Sequence, residues 1–232
     1  MLRDILQTLL VLNGDYHFFK QSEYIARNHW SDEDPTKRQG SWTGNKYDEH
    51  GKVIAYGHGA GVCEGLVAAY MISGKSWSNF QSYVASASGK NLIRGLMNLQ
   101  RIYPKVPSAN MIEKSDIRGD ILKAHHVIYL NTVTLPASAM YETGGAGFID
   151  NIDPSICYMI GMCSGQSGHA ISMRFNDGKI RLFDPNYGEF SFAYDNKKSK
   201  EMSVLISFLL NVFYPGKYIA FIIESYKLTR KP

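Results

Sequence analysis

The dipeptide Asp177-Gly178 constrains this chain more tightly than any other feature of its sequence. It separates two short runs rich in apolar and β-branched residues, 168–175 and 180–184. A two-residue Asp-Gly connection between such runs specifies a tight antiparallel hairpin. With that turn, Phe175 faces Ile180 and Ile171 faces Asp184. His169 stands two residues before Ile171, on the same strand face as Asp184 and diagonal to it. Diagonal neighbours lie about 7–8 Å apart at the backbone, within reach of an imidazole and a carboxylate. A carboxylate sharing a strand face with Ile180 and Leu182 is costly without a partner, and His169 supplies one. Pro185 then ends the ladder.

The hairpin belongs to a longer series. Residues 126–133, 157–162, 189–194 and 218–226 read as further strands, interrupted by one helix over 201–213. Ahead of them the texture is helical, with apolar residues at helical spacing over 62–73, 77–87 and 90–102. A further amphipathic pattern covers 2–12. Residues 31–51 are polar and turn-rich and read as a loop or linker. Helices first and strands afterwards predict an α+β fold with an antiparallel sheet. The organisation expected is an N-terminal helix and polar linker over 1–50, followed by one domain over 51–232.

Composition bounds the function. The chain has 232 residues, 44% hydrophobic and 20% charged, which is globular rather than disordered. No apolar run approaches the roughly 20 residues that span a bilayer. The first 14 residues lack the apolar core of about 7–15 residues that marks a secretory signal. A net charge of +4 is mild, and the basic clusters at Lys197, Lys198 and Lys200 and at Arg230-Lys231 are short. Nucleic acid is therefore not an expected partner. Three cysteines (Cys63, Cys157, Cys163) form no disulfide framework and fit a reducing compartment.

Cys63 is the third candidate site residue. It stands in a glycine-rich run, 56–65, that leads straight into a helical pattern. A thiol at a helix N-terminus is biased toward thiolate, and glycines let backbone N–H groups gather around a developing oxyanion. A buried structural cysteine is the plain alternative. A nucleophilic cysteine needs a base, and the base needs an orienting partner, so Cys63 followed by His169 and Asp184 is a chemically complete order. A zinc site from Cys157, Cys163 and His169 lacks paired ligand spacing, and neither a metal nor a cofactor is expected. His125 and His126 point to opposite faces if extended. Residues 144–147 (Gly-Gly-Ala-Gly) lack the Lys-Ser/Thr of a phosphate loop and read as a mobile surface loop ahead of the histidine strand. Phe190, Phe192 and Tyr194, at period two, read as core.

The segments Gly61-Val62-Cys63-Glu64-Gly65-Leu66, Gly168-His169-Ala170 and Phe183-Asp184-Pro185-Asn186-Tyr187-Gly188-Glu189-Phe190 resemble those of the YopT/AvrPphB-type cysteine proteases, which are bacterial effectors. The resemblance spans about residues 55–225 and leaves 1–50 outside. It implies a papain-like fold, with a helical lobe carrying the cysteine and a sheet carrying the histidine and aspartate. It also implies a thiol endopeptidase that cleaves a host protein and is delivered into host cytoplasm by a dedicated bacterial apparatus. Carried over, Cys63 is the nucleophile, His169 the general base and acid, and Asp184 the orienter of His169. Such folds place an amide side chain shortly before the cysteine to bind the oxyanion. No Asn or Gln stands between Val53 and Cys63, and His58 occupies that place. Either His58 donates a ring N–H, or the hole relies on the Cys63 backbone N–H. The same triad also serves acyltransferases, deamidases and transglutaminases, and a binding module on a decayed protease fold is the non-enzymatic alternative.

Overall fold

The computed structural model describes residues 14–28, 46–47, 53–55, 62–73, 76–102, 110–164, 168–193 and 199–229. In chain order its first elements are β1 (Asp15–Phe18), α1 (Gln21–Arg27), β2 (Lys46–Tyr47) and β3 (Val53–Ala55). Four helices follow: α2 (Cys63–Ser73), α3 (Trp77–Ala85), α4 (Ala87–Ile102) and α5 (Asn110–Lys123). Next come β4 (Val127–Pro136), α6 (Ala137–Tyr141) and α7 (Ala146–Ile149). The remainder is β5 (Ile156–Cys163), β6 (Gly168–Asn176), β7 (Lys179–Asp184), β8 (Gly188–Ala193), α8 (Ser199–Phe213) and β9 (Ala220–Leu228).

Asp177 and Gly178 have φ of 51° and 68°. Two consecutive positive φ values are the signature of a type I′ turn, whose twist matches that of the strands it joins. The register follows, with Phe175 opposite Ile180 and Ser172 opposite Phe183. This hairpin is the centre of a seven-stranded sheet in the order β1-β8-β7-β6-β5-β9-β4, antiparallel at every pairing. β2 and β3 form a separate two-stranded ribbon.

The central strands carry apolar residues on both faces, and a sheet built that way must be covered on both. One face, with Ala170, Phe183, Met159 and Tyr226, packs against Leu66, Val67 and Tyr70 of α2, Phe80 of α3 and Ile93 and Leu96 of α4. The other face, with Ile171, Met173, Leu182, Phe190 and Phe221, packs against Met202, Leu205, Ile206 and Leu209 of α8. Each such side chain withdrawn from water contributes about 1.5–3 kcal/mol before the entropy of ordering it is subtracted. The helices are therefore not confined to a lobe ahead of the sheet, because α8 comes late in the chain and covers the face that α2 leaves open.

Several sequence expectations shift. The N-terminal stretch contributes, in residues 14–28, an edge strand and a helix, and a boundary at residue 50 does not separate these from the sheet: β1 pairs along β8 from Asp15–Ser191 to Phe18–Gly188. Gly188 admits this approach because a Cβ there would stand 2.0 Å from the His17 carbonyl oxygen. Lys46 and Tyr47 pair with β3 and so are not pure linker. α5 was not expected at all. The strand expected from 126 begins at Val127, since His126 has a left-handed φ of 61° that ends the preceding turn. Residues 144–147 are not a mobile surface loop. Gly144 and Gly145 are buried, and Gly144, at φ 59°, lies so close to α8 that a Cβ would sit 1.7 Å from the Ser203 carbonyl oxygen. Phe190 and Phe192 are core as expected. The helix expected over 2–12 and the side chain of Tyr194 lie outside the described residues.

Candidate active site

Cys63 is the first residue of α2, where the unpaired N–H groups and the helix dipole favour negative charge. The helix is held firmly. Gly65 allows α4 to approach, since a Cβ there would stand 2.8 Å from Ile93 Cα. Beside Cys63, Glu64 accepts a hydrogen bond from Arg118 Nη2 of α5 at 3.1 Å. The other end of the Arg118 guanidinium pairs with Glu224 of β9. Glu224 also accepts from Ser115 Oγ at 2.5 Å and from Tyr226 Oη at 2.6 Å. Burial works against the charge on Arg118, but Glu224 and Glu64 outweigh it and hold the guanidinium protonated. This buried network ties the start of α2, through α5, to β9, the strand next to the β4 edge of the sheet.

His169 and Asp184 meet as the hairpin register predicts. His169 Nε2 lies 2.9 Å from Asp184 Oδ1, with the two residues 7% and 5% exposed. The Cys63 thiol hydrogen-bonds the same imidazole. With Nε2 committed to Asp184, Nδ1 is the ring nitrogen left for sulfur. Burial opposes charging of His169, yet the Asp184 carboxylate and then Cys63 prevail and push its pKa up to about 10. The structure thus gathers the three residues singled out in the sequence into one buried cluster. His58 lies outside the described residues.

Two further residues grip the carboxylate. The Asn186 backbone N–H donates to Asp184 Oδ1 at 2.8 Å, and Tyr214 Oη donates to Oδ2 at 3.0 Å. The Tyr214 ring also leans on the imidazole, at 5.4 Å between centroids and 40° between planes. Asn186 was visible in the sequence only as part of the Asp-Pro-Asn-Tyr run. Tyr214 follows α8 and carried no local signal. By contrast Cys157 is buried on β5, and that burial, offset in part by Arg174, raises its thiol pKa to about 11. Among the described residues no cluster of three or more His, Cys, Asp or Glu side chains is arranged to hold a metal ion.

This sheet with its flanking helices is an α+β fold of the papain-like kind. Among solved structures it is similar to the crystal structure of the Pseudomonas avirulence protein AvrPphB, with a TM-score of 0.50 and 15% identity over 72% of this chain and 91% of that one. Residues 151–213 match the family model described as Peptidase_C58, Yersinia/Haemophilus virulence surface antigen. The resemblance to the YopT/AvrPphB-type cysteine peptidases therefore holds in both sequence and fold, and the matched segment carries His169 and Asp184. No curated protein matches the chain. No helix among the described residues is long and apolar enough to cross a membrane.

Proposed function

We propose that the chain is a thiol endopeptidase in which Cys63 is the nucleophile, His169 the general base and acid, and Asp184 the group that orients His169. The observation that carries this reading is the position of His169, hydrogen-bonded on one side to Asp184 at 2.9 Å and on the other to the Cys63 thiol. Transfer of the thiol proton to Nδ1 gives a thiolate paired with an imidazolium, which Asp184 and the N-terminus of α2 both stabilise. The thiolate adds to a substrate carbonyl, and the tetrahedral oxyanion is met by the Cys63 backbone N–H. His169 then protonates the leaving amine as the thioester forms. It next takes a proton from the incoming water, and collapse of the second tetrahedral intermediate releases the acid and restores the thiol. The pH–rate profile is bell-shaped and reports the coupled Cys63–His169 pair.

The substrate class in this reading is a host protein, and the biological setting a bacterial virulence effector delivered into host cytoplasm. The support is the family match over 151–213, described in terms of virulence, and a solved relative in fold that is an avirulence protein. The test is to incubate the purified chain with host-cell protein and map new N-termini by mass spectrometry. New termini that vanish with Cys63→Ala are expected. Their absence, or a mass change without a cut, would replace the protease reading with a transferase or a binding module.

A further inference from the structure

We propose that Gln21, Asn186 and Tyr214 form a hydrogen-bonded chain that positions Asp184, so that the N-terminal strand and helix at residues 15–27 are a working part of the active site. The inference rests on the assignment of His169 and Asp184 to the proposed reaction.

The links run in one direction. Gln21 Nε2 donates to Asn186 Oδ1 at 2.6 Å, Asn186 Nδ2 donates to Tyr214 Oη at 2.9 Å, and Tyr214 Oη donates to Asp184 Oδ2 at 3.0 Å. An ionised carboxylate can only accept, so the phenol must donate to it. Having one proton to give, the phenol must then accept from the Asn186 amide, which fixes that amide's orientation as well. Each donation strengthens the next, as expected of a chain in surroundings of low dielectric. Tyr214 and Gln21 are both buried and Asn186 between them is half-buried, so the last link, from Tyr214 to Asp184, is the one shielded from competing water.

The far end of the chain is anchored independently. Gln21 N donates to the Pro185 carbonyl at 2.7 Å, and Tyr16 Oη donates to the Tyr187 carbonyl at 2.5 Å. The loop 185–187, which follows Asp184, is thus clasped on its outer side by β1 and α1 through both backbone and side chains. Inside the loop, Asn186 uses its backbone N–H on Oδ1 while its side chain serves Oδ2 through Tyr214. The two carboxylate oxygens are held separately, which stops the group rotating and keeps Oδ1 aimed at His169 Nε2. Tyr214, Asn186 and Gln21 are positioning residues in this account, since they act through the Asp184 carboxylate, with Asn186 Nδ2 also 3.5 Å from His169 Nε2.

The experiment uses the full chain with Tyr214→Phe, Gln21→Leu and the double variant, each checked for folding by thermal melting. In a Cys63→Ala background, proton exchange with water at His169 Nε2 is followed by NMR, which reads the His169–Asp184 bond alone and needs no catalytic activity. We expect exchange to quicken about tenfold in Tyr214→Phe and about threefold in Gln21→Leu, with the double variant no faster than Tyr214→Phe, because Gln21 acts through Tyr214. Unchanged exchange in folded single variants, or effects that multiply in the double, would overturn the chain. With Cys63 restored, alkylation of that thiol at pH 6 should fall in the same order. A parent protein whose Cys63 is no more reactive than Cys157 would count against the protease reading, while the exchange data would still decide the chain.

Discussion

Both faces of the central sheet are packed with apolar side chains, but they differ in the charge they bury. The face beneath α2 carries Glu224, Glu189 and Arg174, all buried, together with Arg181. The face beneath α8 is apolar along Ile171, Met173, Leu182, Phe190 and Phe221, and the charged pair His169 and Asp184 marks its end. On the first face the two carboxylates have partners of fixed direction: Arg118 for Glu224, and Arg181 at 2.6 Å and the Tyr70 hydroxyl for Glu189, while Arg174 donates to the Tyr70 carbonyl and stacks over its ring. Hydrophobic packing has no such direction. The charged face therefore fixes where the cysteine helix sits, and the apolar face supplies cohesion while leaving its end free for chemistry.

Breaking the charged face should have the largest effect on stability. Arg118→Met strands Glu64 and Glu224 in the interior, and removal of one partner from a buried ion pair costs about 3–5 kcal/mol. Urea unfolding measures this, and adding Glu224→Gln should return part of the loss. A cost below about 1 kcal/mol would mean that the network does not hold α2. Next comes the seam where α8 meets residues 144–147. Gly144→Ala needs both a left-handed backbone and a Cβ where the Ser203 carbonyl stands, and should cost about 2 kcal/mol or more. The apolar face itself should be forgiving. Ile223→Val removes one methylene and should cost about 0.5–1.5 kcal/mol, with Cys63 reactivity unchanged.

A pH dependence tests the sign of the His169 contribution rather than its size. The pKa of His169 is raised in the folded state, so its charged form stabilises the fold fully below the unfolded value of 6.5 and loses that contribution as pH climbs through about 10. The stability difference between the parent and His169→Gln should therefore be greatest near pH 6 and shrink by pH 10. A difference that grew over that range would reverse the sign argued here.

The histidine–aspartate pair was legible because both residues belong to one hairpin, whose Asp-Gly turn and alternation set the register. Cys63 was legible through its glycine-rich entry into a helix, but nothing local said that it would meet His169 from across the sheet. That pairing rests in the sequence on the need of a nucleophilic cysteine for a base and an orienting partner, and on family resemblance. The rest of the site was hidden for physical reasons. β1 is only four residues long and mostly exposed, without an alternating pattern, and is held by edge pairing at Gly188. Tyr214 lies 30 residues from Asp184 in sequence, and Arg118 lies 54 and 106 residues from its two carboxylates. Sequence periodicity carries no information about contacts of that kind.

The central claim is that Cys63 is an activated thiol paired with His169, and brief iodoacetamide labelling at pH 6 with mass-spectrometric mapping tests it most directly. An ordinary thiol with a pKa near 8.5 is almost wholly protonated at that pH. Cys157, with its pKa raised to about 11, should stay unlabelled. Selective alkylation of Cys63, lost in His169→Ala, is the predicted result. A Cys63 that reacts no faster than Cys157 and Cys163 would contradict it.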